Sequence, residues 1–82
     1  MKVKVRLKAD ERVEIDTEFI RLDAFLKFSM AVESGGEAKM IIQDGDVSVN
    51  GEVCTMRGKK LRPGDRVTAY GVTYAVTAKT AE

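Results

Sequence analysis

The stretch from Ser34 to Gly51, S-G-G-E-A-K-M-I-I-Q-D-G-D-V-S-V-N-G, decides the fold, because it reads as a capped helix running straight into a tight hairpin. The Ser34 hydroxyl is placed to accept a bond from an unpaired helix amide, and Glu37, three residues on, can reach back to close a capping box. A helix is therefore predicted to begin near Gly35. Ala38, Ile41 and Ile42 recur at helical spacing and mark its buried face, while Lys39 and Gln43 point together to the other side. Gly45 supplies the left-handed residue that stops the helix. Val47 and Val49 then alternate as a half-buried strand does, and Asn50-Gly51 suits the positive dihedrals of a type I′ turn.

Upstream, Leu22, Phe25, Leu26 and Met30 fall on one helical stripe, widened by Phe28, Ala31 and Val32. This predicts a helix over about 21–32 with a broad buried face. Asp23 and Lys27 are four apart on its outer side and can pair there, and an acid in the first turn suits the helix dipole, so Asp23 reads as structural. Residues 2–8 alternate between Val3, Val5 and Leu7 on one face and Lys2, Lys4, Arg6 and Lys8 on the other. Ala9-Asp10-Glu11-Arg12 reads as a turn, after which Val13 and Ile15 resume the alternation as a second strand. The basic row can either touch phosphates or guard an exposed strand against edge-to-edge pairing.

Downstream of the Asn50-Gly51 turn, register places Cys54 across from Val47 on the core side, where a cysteine acts as a small apolar residue. Leu61 anchors a loop whose cations face water, and Pro63-Gly64 fits the centre of a type II turn. Val67 and Ala69 lead through a Tyr70-Gly71 turn to Val72, Tyr74 and Val76 on the matching face. The expectation is an α+β domain of two short packed helices against a small, mainly antiparallel sheet. Residues 1–18 form an N-terminal β extension and 19–78 the domain proper.

These residues carry a resemblance to a family. Arg21-Leu22-Asp23 opening a helix, then Ser34, Ala38-Lys39, Ile42, Gly45, Val47, Val49 and Asn50-Gly51, then Leu61, Pro63-Gly64-Asp65 and Val67, resemble the S4-type RNA-binding domain with its αL motif. The similarity runs from roughly residue 19 to 70 and is nearest to the small bacterial proteins made of little more than one such domain. Met56-Arg57-Gly58-Lys59-Lys60 stands where many S4 domains carry Pro-Ser, and this departure adds charge. The resemblance implies that Lys39, at a position typically basic, and Arg21 help to hold RNA. It also implies ribosomal RNA or tRNA as the partner class, with ribosome assembly or rescue as the setting.

Composition narrows the chemistry. The chain has 82 residues, and a domain of that size buries only about 60% of its unfolded surface. One domain is expected, with no room for a separate catalytic unit. The formal charge is only +1, so the informative feature is how charge is distributed. Arg57, Lys59, Lys60, Arg62 and Arg66 face Asp65 alone within ten residues, whereas Asp10 to Glu18 holds five acids and one base. A single cysteine excludes an internal disulfide. The absence of histidine removes the usual zinc arrangements and any histidine-based triad. Charges at alternate positions from Lys2 rule out a signal-peptide core, and no apolar run approaches membrane-spanning length. A cytoplasmic protein with no cofactor is expected.

The predicted function is recognition of structured RNA by phosphate charge and shape, without catalysis. Arg21, Lys27, the Ser34-Gly35-Gly36 helix start and Lys39 form one half of the candidate surface, and Arg57, Lys59, Lys60 and Arg62 the other. The helix start offers amides with partial positive charge and no side chains in the way, although the two glycines can equally serve a sharp turn. Neither tyrosine has the spacing of the stacking motifs of RRM proteins, so base stacking is not indicated. The competing expectation is a protein-interaction or assembly factor that keeps the S4 scaffold and binds a protein, including a translation-related one.

Overall fold

The structure is a computed structural model that describes residues 10–79. The alternating strand expected at 2–8 lies outside the described residues. The elements, in chain order, are β1 (Asp10–Ile15), β2 (Ile20–Arg21), α1 (Leu22–Phe28), α2 (Gly35–Gln43), β3 (Val47–Val49), β4 (Glu52–Val53), β5 (Lys60–Leu61), β6 (Arg66–Ala69) and β7 (Val72–Ala78). Five strands form one sheet in the order β1-β7-β6-β3-β4, and β2 pairs with β5 in a separate ribbon. Every pairing is antiparallel except β1 with β7. The α+β architecture expected from the sequence is the one observed.

The stretch 34–51 folds as its residues dictate. Ser34 Oγ accepts the Glu37 N–H at 3.1 Å, and Ala38, Ile41 and Ile42 are buried. At the other end Gly45, with φ of 82°, carries paired bonds from Gly45 N–H to Ile42 O and from Asp46 N–H to Ile41 O, a Schellman motif. Asn50 and Gly51 have φ of 53° and 88°, and Tyr70 and Gly71 repeat the pattern at 53° and 78°. The Asn50 amide also donates to Asp65 Oδ1 and accepts the Arg66 N–H, tying this hairpin to the turn before β6. In that turn Gly64 has φ of 104° and Asp65 N–H returns to Arg62 O, as a type II turn requires.

Three local expectations are corrected. Asp10, Glu11 and Arg12 are not a turn but the start of β1, in register with Thr73, Tyr74 and Ala75 of β7. The long free edge of β7 offers a complete ladder, and that pairing outweighs the polar, turn-like composition. Glu37 does not return to the Ser34 amide, because its Oε1 accepts the Glu33 N–H at 3.0 Å, one residue earlier. The third correction concerns α1, which ends at Phe28 instead of near 32. Met30 takes a left-handed φ of 64°, with Met30 N–H on Lys27 O and Ala31 N–H on Leu26 O, a second Schellman turn. The chain must fold back within a few residues to start α2. As a result Val32 is buried, while Phe28 and Met30 are left 58% and 84% exposed.

A left-handed residue with a side chain is strained, and Met30, 84% exposed, has little packing to offset it. Met30→Gly should therefore raise stability by about 0.5–1 kcal/mol, read as a higher midpoint in urea with an unchanged slope.

Helices and sheet share one core. Leu22, Phe25, Leu26, Val32, Ala38, Ile41 and Ile42 pack with Ile15, Val47, Val49, Leu61, Val67, Ala69, Tyr74 and Val76, and Cys54 is half-buried against them. The Phe25 and Tyr74 rings meet edge to face at 6.3 Å. Burial, and then the Glu11 charge, push the Tyr74 hydroxyl's pKa above its ordinary value.

Candidate nucleic-acid interface

The cations are organised by the start of α1. Arg21 occupies its N-cap position but makes no side-chain cap. The basic loop does that work, as Leu22 N–H donates to Lys59 O at 2.8 Å and Asp23 N–H to Arg57 O at 3.1 Å. These bonds satisfy helix amides that would otherwise lack partners and hold residues 57–59 against α1. Across the β2–β5 ribbon Lys60 stands opposite Arg21, and Leu61, fully buried, pins the ribbon to the core. A side chain at Gly58 would lie 3.8 Å from Arg21 Nη2, so the guanidinium rests against the loop backbone.

The expected Asp23–Lys27 pair is replaced by another. Arg21 Nη2 donates to Asp23 Oδ2 at 3.1 Å, and Asp23 Oδ1 accepts the Ala24 N–H at 2.8 Å. The arginine at the helix threshold is the nearer partner, and the helix amide fixes the second oxygen. Lys27 is thus left without an ion pair among the described residues. Its stem lies beside the start of α2, where a Cβ on Gly35 would be 3.9 Å from Lys27 Cδ. Arg21, Asp23, Ala24, Lys27 and Gly35 together line a shallow depression of about 290 Å³.

Lys60 and Arg62 converge on Phe19, with Lys60 Nζ 4.9 Å and Arg62 Cζ 5.8 Å from the ring centroid. Phe19 carries no periodic signal, and only the β2–β5 pairing brings it under the two cations. Arg57 is exposed in the docked loop. Lys59 lines a separate depression of about 520 Å³ with Asn50, Glu52, Val53, Cys54, Thr55 and Met56 of the neighbouring hairpin.

The start of α2 is a weaker member of the set. The Ser34 hydroxyl is engaged in capping, and Gly35 and Gly36 are exposed beside the Glu37 carboxylate. Glu37 Oε2 accepts the Tyr70 hydroxyl at 2.7 Å, while Oε1 holds the Glu33 amide. The Glu33 N–H first, and the Tyr70 hydroxyl second, hold the Glu37 carboxyl below its ordinary value of 4.5. An ionised carboxylate therefore stands where a phosphate would enter, and its repulsion offsets the helix amides. Lys39 is exposed on α2, and among the described residues no ion pair joins it to the other candidates.

The Glu37–Tyr70 link carries its own prediction. Because the Glu37 value is lowered, its contribution to stability is complete above pH 4.5 and is lost as pH falls through the lowered value. The Tyr70 value is raised, chiefly by the same bond, so that contribution is complete below pH 10.0 and is lost as pH rises through the raised value. Tyr70→Phe should lower the melting midpoint between these limits, and the difference from wild type should shrink in acid below the Glu37 transition. An equal difference at every pH would remove the link.

Among the described residues no group of three or more His, Cys, Asp or Glu side chains is arranged to hold a metal ion, and no helix is long and apolar enough to cross a membrane.

Residues 13–77 match the sequence profile of the S4 domain. The chain is also similar to the probable ribosome maturation protein RlbA of Bacillus subtilis (strain 168), with 44% identity over 59 residues that cover 72% of this chain and 83% of that protein. With most of its length inside the profile, the chain belongs to the S4 domain family.

Proposed function

We propose that the protein is a non-catalytic module that binds structured RNA, ribosomal RNA or tRNA, and acts in the cytoplasm during ribosome assembly or translation quality control. One observation carries the reading. The backbone bonds from α1 to the 57–59 loop gather Arg21, Arg57, Lys59, Lys60 and Arg62 around one helix start, with Lys27 next along the helix. Fixed cations on a rigid scaffold suit phosphates whose spacing is set by RNA shape, because the narrow major groove of duplex RNA admits little side-chain readout. The maturation role in the relative's name supports the ribosomal setting. Residues 19–78 carry this surface, and the 1–18 segment contributes the β1 edge.

Binding to ribosomal RNA fragments and tRNA across a salt series tests the proposal. Neutralising about four to six phosphates gives a log–log slope near −3 to −5. A salt-independent affinity, or none, rejects it. The second reading, a protein-binding factor on the same scaffold, draws on Val53 and Met56, which are 64% and 65% exposed in the depression that also holds Lys59. It predicts stoichiometric capture of a ribosomal protein in the absence of RNA.

A further inference from the structure

The sequence places Phe28 in the core, and the early end of α1 turns it out to solvent. Phe28 is 58% exposed and, with Ile20, Ala24 and Lys27, lines a shallow depression of about 400 Å³. Ala24 and Lys27 also line the depression that holds Arg21 and Gly35, so the two hollows adjoin. One end is apolar and aromatic, the other cationic, and Lys27 stands at the join.

We propose that an unpaired nucleobase of the bound RNA stacks on Phe28 in the apolar hollow, while Lys27 and Arg21 hold the phosphate beside it. The proposal rests on the RNA-binding reading and narrows it to RNA with an extruded nucleotide, a bulge or a loop, in place of a continuous duplex. A paired base has both faces covered by its neighbours and offers only edges, so only an unpaired base can present a face to an exposed ring. An aromatic platform with adjoining cations is the arrangement that single-stranded nucleotides use.

Charge complementarity chooses the occupant. Lys27 has no ion pair among the described residues, and Asp23, the one carboxylate lining the hollows, is engaged by Arg21 and the Ala24 amide. An apolar protein surface laid over Phe28 would desolvate the Lys27 ammonium without compensation. A nucleotide brings its own phosphate to the same place.

The test uses one RNA hairpin whose uninterrupted stem is closed by a non-nucleotide linker, so that it holds no unpaired base, and the same hairpin with a single bulged adenine. Wild-type protein should bind the bulged form at least about tenfold more tightly, since stacking on a side chain has an effect of that order. Phe28→Leu should lose this preference while keeping its affinity for the uninterrupted hairpin. Phe28→Trp should retain it. The chain has no tryptophan, so Phe28→Trp also supplies a single fluorophore whose emission the stacked base should quench. Wild-type binding to both hairpins with no preference, an equal loss on both in Phe28→Leu, or unquenched emission on binding would overturn the stacking site and leave the phosphate-binding reading intact. Failure of the wild type to bind either hairpin would overturn both. A wild-type dimer that Phe28→Leu dissociates, with no bulge preference, would assign the face to a second copy and overturn the proposal.

Discussion

Lys27→Ala/Lys59→Ala/Lys60→Ala should bind ribosomal RNA fragments with an affinity reduced on the order of 100-fold at low salt, and with a salt slope shallower by about three units. Each lysine is exposed, and none is in an ion pair among the described residues, so each is available to displace one counterion from RNA. Surface changes of this kind alter stability by about 0.5 kcal/mol or less, with Lys60 adding a modest loss of its contact with Phe19. A folded triple variant that binds like the wild type removes the surface around α1 from consideration. Lys39→Ala is the companion measurement. A fall of about one slope unit extends the RNA footprint along the outer face of α2, and no change confines it to α1 and the loop.

Leu61→Ala should cost about 2–5 kcal/mol, the range for deleting a fully buried leucine from a packed core. For a domain of this length that corresponds to a fall in melting midpoint of at least about 10 °C. The effect reaches function because Leu61 is half of a two-residue strand. That strand sets Lys60 opposite Arg21 and brings Lys60 and Arg62 over Phe19. Loosening it should lower RNA affinity even at temperatures where the variant is folded. Leu61→Met, which keeps the volume, should cost under about 1.5 kcal/mol and retain binding. If Leu61→Ala melts like the wild type, the ribbon is not anchored as described.

The sequence was most legible where a residue's requirement is local. Ser34 capping, the left-handed Gly45, the Asn50-Gly51 and Pro63-Gly64 turns and the alternation of β3, β6 and β7 all follow from one or a few side chains and the backbone beside them. What stayed hidden depends on distant partners. Asp10 to Arg12 become strand only because β7 lies alongside. Leu22, Phe25 and Phe28 share a helical spacing that says nothing of where the helix stops, so Phe28 read as buried. The candidate cations were visible as residue types, but their gathering was not. It depends on Arg57 and Lys59 carbonyls capping a helix some thirty-five residues earlier, a use of main-chain groups that leaves no mark on composition.

The parallel pairing of β1 with β7 also has a kinetic consequence. It joins the first and last described strands, so its contacts span almost the whole chain and close the largest loop in the fold. The hairpins β3–β4 and β6–β7 join neighbours and can form early, whereas β1 gains its ladder only after β7 is in place. The last strand to dock is also the first to leave under native conditions, because an edge strand can open without disturbing the sheet behind it. Amide exchange should therefore show β1 opening as its own low-energy unit, while the helix start that gathers the cations stays closed.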